Sequence, residues 1–174
     1  MNQDILAKAA AIRLVICDVD GALTNGYLYL AEQGFQIRAF HVHDGFGLKL
    51  LKSVGIEVGI ITTSKTPIIE ERMAMLGIEH LYMGQENKVS AFEDLLTKLN
   101  LQPEQVAYIG DYLPDLVLIK RAGLGAGVAN AAPLVREHAD LVTLNNGGQG
   151  AVRELCDIIL HAQNKLEQAM KPYE

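Results

Sequence analysis

The stretch LVICDVDGALTNG places two carboxylates, Asp18 and Asp20, directly behind a short apolar run. Residues i and i+2 of a strand face the same side. Carboxylates brought together in that way repel unless a cation or a shared proton intervenes, and a metal site is the economical answer. Other polar groups end or follow other apolar runs. Thr62 ends IEVGIIT, Asp111 comes straight after QVAYIG with Asp115 four residues on, and Lys88 follows HLYM near the start of a helical segment. Taken singly, each has a plainer reading. Asp111 could be a helix N-cap, Thr62 a turn or cap residue, Asp115 a solvated helix residue and Lys88 a surface lysine. Lys88, however, would sit near a helix N-terminus, where the dipole disfavours a cation, and an anion nearby would remove that cost. Together the set has a coherent use. Carboxylates with further oxygen ligands suit magnesium, and one carboxylate can attack phosphorus. A hydroxyl and a lysine can hold phosphoryl oxygens and neutralise developing charge.

These groups converge only if the runs are neighbouring strands whose carboxyl ends share one rim, where open parallel sheets bind ligands. The apolar runs IRLVIC, IEVGIIT, HLYM, QVAYIG, GLGAGVA and ADLVTL alternate with amphipathic segments. After Asn87, the residues Val89, Phe92, Leu96 and Leu99 fall on one helical face, and near the end Val152, Leu155, Cys156, Ile159 and Leu166 do the same. Gly55, Gly77 and Gly123 stand where helices should stop. The alternation predicts an α/β fold, a mostly parallel sheet with helices on both faces. One stretch breaks the rhythm. GYLYLAEQGFQIRAFHV, residues 26–42, alternates apolar and polar residues and predicts an inserted β-hairpin with Gly34 in its turn. It could merely extend the sheet edge, or it could serve as a flap or assembly surface over the site.

The composition sets limits. A chain of 174 residues suits one domain, and 49% hydrophobic with 21% charged residues allows a sizeable core. A net charge of -6 argues against a general nucleic-acid surface, though not against a small anionic substrate. The two cysteines, Cys17 and Cys156, suggest no disulfide framework, and Cys17 reads as a buried free thiol. No run is long enough to cross a bilayer, and MNQDILAKAAAIR lacks the apolar core of a signal peptide, so a soluble cytoplasmic protein is expected. No serine lies in a nucleophile elbow, and the five histidines are scattered. His41 and His43 in FHVHDG would share a strand face and could bind a metal. With no clear third ligand nearby, a structural or substrate-rim role is the better expectation.

The segments DVDGALT, IITTSK, GQENK and IGDYLPD resemble, in order and in position after strands, the four motifs of the haloacid dehalogenase superfamily of phosphohydrolases. With the hairpin, AFHVHDGFG, LGIEHLYMGQENK and NNGGQGAVRELCD, the likeness narrows to the 3-deoxy-D-manno-octulosonate 8-phosphate phosphatase family and runs from about Ile12 to the last helix. The resemblance implies a Rossmann-like three-layer sandwich without a large cap domain, a homotetramer, and a role in making a sugar of lipopolysaccharide. It implies that Asp18 is the nucleophile and Asp20 the general acid and base. Magnesium would be held by the Asp18 carboxylate, the Asp20 backbone carbonyl and Asp111, with Asp115 supporting the metal site. Thr62 and Lys88 would bind phosphate, with Thr63 beside them. In such tetramers the hairpin packs between subunits, and neighbouring chains help to close the site.

The chain departs from the family pattern where the sugar should be met. Thr63 and Ser64 stand where glycine and arginine are usual, His43 stands for another arginine, and Tyr112 replaces the second of two adjacent aspartates. Arginine is the better planar partner for a carboxylate, so His43, Ser64 and Lys65 become the candidate substrate rim. The expected activity is phosphomonoester hydrolysis of an ulosonic-acid phosphate, foremost the eight-carbon one. A nine-carbon sialic-acid-type or other sugar phosphate is the alternative. A phospho-receiver domain or a non-catalytic assembly subunit is further off.

Overall fold

A computed structural model of the chain describes residues 2–32 and 36–173. Six parallel strands form its sheet in the order β5-β4-β1-β6-β7-β8. They are β1 (Leu14–Cys17), β4 (Glu57–Ile61), β5 (His80–Tyr82), β6 (Val106–Gly110), β7 (Leu124–Gly127) and β8 (Leu141–Val142). The apolar run of β1 shows no alternation because all four of its residues are buried between neighbours on both edges and helices. The chain steps outward from β1 to β4 and β5, then returns to β6 on the other side of β1. The crevice between the carboxyl ends of β1 and β6 is therefore the switch point at which ligands of such sheets bind.

Two groups of helices flank the sheet. In one, α1 (Gln3–Ala10), α2 (Val42–Ser53) and α7 (Ala151–Ala162) pack on one another; in the other, α5 (Leu116–Arg121) packs against α4 (Lys88–Leu99) and α6 (Pro133–His138). Helix α3 (Pro67–Leu76) ends at Gly77 in the left-handed conformation that favours glycine. Gly123 has a different reason. A Cβ there would lie 2.2 Å from the Glu104 carbonyl oxygen, so it is close backbone approach that excludes a side chain. The apolar face expected after Asn87 is the buried face of α4. The last apolar pattern divides. Helix α7 stops at Ala162, and Leu166 opens a separate short helix, α8 (Leu166–Met170), because Asn164 turns left-handed between them.

The inserted hairpin is present as β2 (Tyr29–Leu30) and β3 (Gln36–Ile37), antiparallel, with a further bridge between Thr24 and Phe40. Gly34, expected in its turn, lies outside the described residues. The hairpin ends earlier than its alternation suggests. His41 caps α2 and His43 lies in the first helical turn, so the two histidines do not share a strand face. Their rings meet edge-on at 4.9 Å.

The FHVHDG segment also fixes α7. That helix begins at Gly150 with no side-chain cap of its own. Asp44, buried in the first turn of α2, accepts hydrogen bonds from the backbone N–H groups of Arg153 (2.8 Å) and Gly150 (3.2 Å). One helix thus supplies the acceptor for the otherwise unpaired donors of another. Asp44→Ala leaves those partly buried donors without their acceptor. It is expected to lower the unfolding free energy by about 2 kcal/mol, read as an earlier urea midpoint at unchanged slope.

Candidate active site

The chain leaves β1 in extended backbone at Asp18, whose N–H donates to the Ile109 carbonyl of β6 (3.0 Å). A wide turn over Val19–Leu23 follows, with Gly21 at φ 106°. This turn brings the loop after β1 against the loop after β6, and a Cβ on Gly21 would lie 2.2 Å from Asp111 Oδ2. The Thr24 hydroxyl closes the turn by accepting from the N–H groups of Gly21 and Gly26. Behind it lies NNGGQG. Gly148 donates to the Ala22 carbonyl at 2.9 Å, and a Cβ on Gly147 would collide with the Gly21 carbonyl. That loop needs its glycines to press on the turn.

Four side chains form a buried network at the switch point. Lys88, the first residue of α4, donates to Asp18 Oδ1 and to Asp115 Oδ1, both at 2.6 Å, and to the Tyr108 hydroxyl at 3.3 Å. Tyr108 donates in turn to Asp115 Oδ1 (2.6 Å), while Asp115 Oδ2 accepts from the N–H groups of Asp111 (3.0 Å) and Tyr112 (3.2 Å). The anions that offset the cost of a lysine at this helix N-terminus are therefore Asp18 and Asp115. Both Asp115 oxygens are committed within the protein. Asp18 keeps one oxygen without a hydrogen-bond donor among the described residues.

Asp18 and Asp20 do not point alike from a strand, because β1 has already ended at Cys17. Asp18 is buried against Lys88. Asp20 stays partly exposed and meets Arg38 of the hairpin, with Nε to Oδ1 at 2.7 Å and Nη2 to Oδ2 at 3.2 Å. Both still line one small cleft of about 110 Å³, with Thr63, Lys88, Asp111, Tyr112, Pro114 and Asp115. Thr62 is buried at the end of β4, its hydroxyl accepting from the Ser64 N–H (3.2 Å). Ser64 accepts from Arg38 Nη2 at 3.1 Å. Lys65 is exposed, its stem folded against Gly84.

His43 lies apart from this cluster. It lines a larger groove of about 770 Å³ with His41, Asn145, Arg153, Glu154 and His161 among others. That groove shares no lining residue with the carboxylate cleft. The chemistry belongs to the smaller cleft, where a buried cation and several carboxylates converge. Two residues of the site were not singled out from the sequence. Tyr108 is hidden inside an apolar run, its only signal a hydroxyl two residues before Gly110. Arg38 is hidden in the alternation of the hairpin, as a cation directly after its second strand.

The donor set fits a divalent cation. Asp18, Asp111 and Asp115 each bring a carboxylate oxygen within 4.8 Å of the others. Burial, and next the charge of Asp115, push the Asp18 carboxyl well above its ordinary value despite Lys88. The same two causes raise Asp111 to about 6. A dication would reverse that repulsion. With Asp115 already saturated, Asp18 and Asp111 are the carboxylates available to hold it.

Comparison with known proteins agrees with the geometry. Residues 62–155 match the haloacid dehalogenase-like hydrolases. The chain is 50% identical over 169 residues to the 3-deoxy-D-manno-octulosonate 8-phosphate phosphatase of Escherichia coli K12, covering 97% of this chain and 90% of that protein. The crystal structure of the Yersinia pestis phosphatase of the same name superposes with a TM-score of 0.95 at 48% identity, over 96% of this chain and 90% of that one. The Moraxella catarrhalis phosphatase, solved with a magnesium ion, a phosphate ion and a KDO molecule, gives 0.96 at 39% identity over the full length of both. The chain thus belongs to the haloacid dehalogenase-like hydrolases, in the family of the 3-deoxy-D-manno-octulosonate 8-phosphate phosphatases. It is a phosphatase, and its clustered carboxylates suit a divalent cation such as the magnesium of the Moraxella catarrhalis structure.

Gly21→Ala drives a methyl group into the Asp111 carboxylate and strains a left-handed turn. It is expected to weaken magnesium binding at least about tenfold while the fold persists, measured by calorimetric titration beside a circular dichroism spectrum.

Proposed function

We propose that the chain hydrolyses 3-deoxy-D-manno-octulosonate 8-phosphate to the free sugar acid and phosphate, a step in making a sugar of lipopolysaccharide. The observation that carries the reading is Asp18, an extended strand-end carboxylate with one oxygen held by buried Lys88 and the other free. Asp18 attacks phosphorus through the free oxygen, and Lys88 remains beside the nucleophile to neutralise phosphoryl charge. Asp20 delivers a proton to the leaving sugar oxygen and then takes one from the water that opens the aspartyl phosphate. Thr62 and Thr63, on the loop after β4, bind phosphoryl oxygens together with Lys88. Asp18, Asp111 and the Asp20 carbonyl would hold magnesium, with Asp115 bracing the Asp111 loop through its backbone. When bound, the ion supplies charge neutralisation for the phosphoryl group.

The cleft holds only a few water-sized groups, given about 30 Å³ per water in the liquid. It suits a phosphoryl group and an ion, with the sugar lying outside toward the hairpin and the Ser64–Lys65 loop. The hairpin is rich in exposed apolar side chains, Leu30 at 75% and Ile37 at 57% with Tyr27, Leu28 and Tyr29 beside them. Such a patch is normally covered. Packing of hairpins from four copies would cover it and bring neighbouring chains to the mouth of the cleft. The reading includes a cytoplasmic location; no helix among the described residues is long and apolar enough to cross a membrane.

Purified protein is expected to release phosphate from 3-deoxy-D-manno-octulosonate 8-phosphate with magnesium and not with a chelator. Asp18→Asn should lose roughly 1,000-fold or more in kcat. No turnover of this substrate with metal present, or substantial activity in the variant, contradicts the reading. Light scattering should give about four times the 19.0 kDa chain mass; a monomer at assay concentration contradicts the assembly.

A further inference from the structure

We infer that Arg38, on the hairpin, is the positioning residue for the proton-transferring carboxylate Asp20, so that the flap and not the sheet assembles the acid half of the site. The inference rests on the reading of Asp18 as nucleophile and Asp20 as acid. The hairpin turns most of its side chains to solvent, yet Arg38 is buried, its side chain only 3% exposed. Its guanidinium is fixed from three sides. Nε and Nη2 grip the two oxygens of Asp20, Nη1 donates to Gln36 Oε1 at 2.8 Å, and Nη2 also reaches Ser64 Oγ. Two of these partners are on other segments, so Arg38 joins the hairpin to the loop after β1 and to the loop after β4.

Asp20 has no other side-chain or backbone donor among the described residues. Asp18 is held by Lys88, and Asp115 by Lys88, Tyr108 and two backbone amides, all groups of β6, the loop after it and α4. The Asp20 side chain meanwhile stays 27% exposed, so the grip leaves it reachable from the cleft. In the first half-reaction an Asp18 oxygen forms a bond to phosphorus and the bond from phosphorus to the sugar oxygen breaks. That bond's electron pair stays on the sugar oxygen, which takes the proton from Asp20. Asp20 ends the step as a carboxylate, the form that a two-point guanidinium fork fits. Arg38 thus fixes the direction of the donor and accommodates the charge left on it.

The experiment compares kcat/KM at saturating magnesium for a sugar phosphate, whose alkoxide leaving group needs a proton, and p-nitrophenyl phosphate, whose leaving group does not. Arg38→Ala is expected to lose roughly 100-fold on the sugar phosphate and less than about threefold on the aryl ester, the size of a general-acid contribution. Arg38→Lys, which restores one charged contact, should recover part of the sugar-phosphate loss and also serves if the alanine variant does not fold. Equal losses on both esters, no loss, or a gain on the sugar phosphate from release of a parked Asp20 would each overturn the inference. Asp20→Asn separates the two layers. If it does not discriminate between the esters, the reading of Asp20 as acid fails. If it does discriminate and the Arg38 variants do not, only the role of Arg38 fails.

Discussion

Lys88 is a buried ammonium shared at 2.6 Å by two buried carboxylates, Asp18 and Asp115. A buried charge is tolerated only when paired and hydrogen-bonded, and each member of this group depends on the others. The carboxylates hold the lysine charged against the unfavourable end of α4. The lysine in turn permits two carboxylates, with Asp111 beside them, at the carboxyl ends of the two central strands. Removing any one strands the rest, because breaking a buried pair leaves an uncompensated charge. The ion group also joins the ends of β1 and β6 to α4, elements far apart in sequence. The parallel sheet exists in a form that can do chemistry because its central crevice is filled by this group.

One ammonium does not balance three carboxylates. Burial and mutual repulsion leave Asp18 and Asp111 reluctant to ionise, and a dication is the natural complement. The backbone shows how closely the loops have been drawn around that requirement. Gly21 is bare because Asp111 occupies the space of a side chain, and Gly147 is bare because the Gly21 carbonyl does. The NNGGQG loop, itself anchored through Asp44 at the start of α7, presses the turn after β1 into place. The helix layer thereby reaches the metal site through two stacked glycine contacts.

Much of this was readable from residues. Six apolar runs gave six strands, and carboxylates at their ends gave the rim, because period and position are local properties. The motif resemblance narrowed the family where spacing alone left alternatives open. What the pattern could not carry was direction. Asp18 and Asp20 are expected on one face, yet the strand ends at Cys17 before either of them and the turn over Val19–Leu23 sends them to different cations. His43 is expected at the rim because it stands where the family usually has an arginine, but helix α2 begins there and turns it to another groove. Arg38 carries no sequence signal because its partners lie on other loops, and nothing local in QIRAF points to them. It stands against Ser64, so a cation reaches the substituted loop from a different part of the chain.

The measurement closest to the centre of the account is capture of the covalent intermediate. Enzyme quenched during turnover and reduced with borohydride should carry homoserine at position 18, the product of reducing an aspartyl phosphate, and the peptide containing it can be read by mass spectrometry. Homoserine at Asp18, dependent on substrate and magnesium, is the predicted result. Label at another aspartate, or an unmodified Asp18 during steady turnover with an intermediate trapped elsewhere, would contradict it.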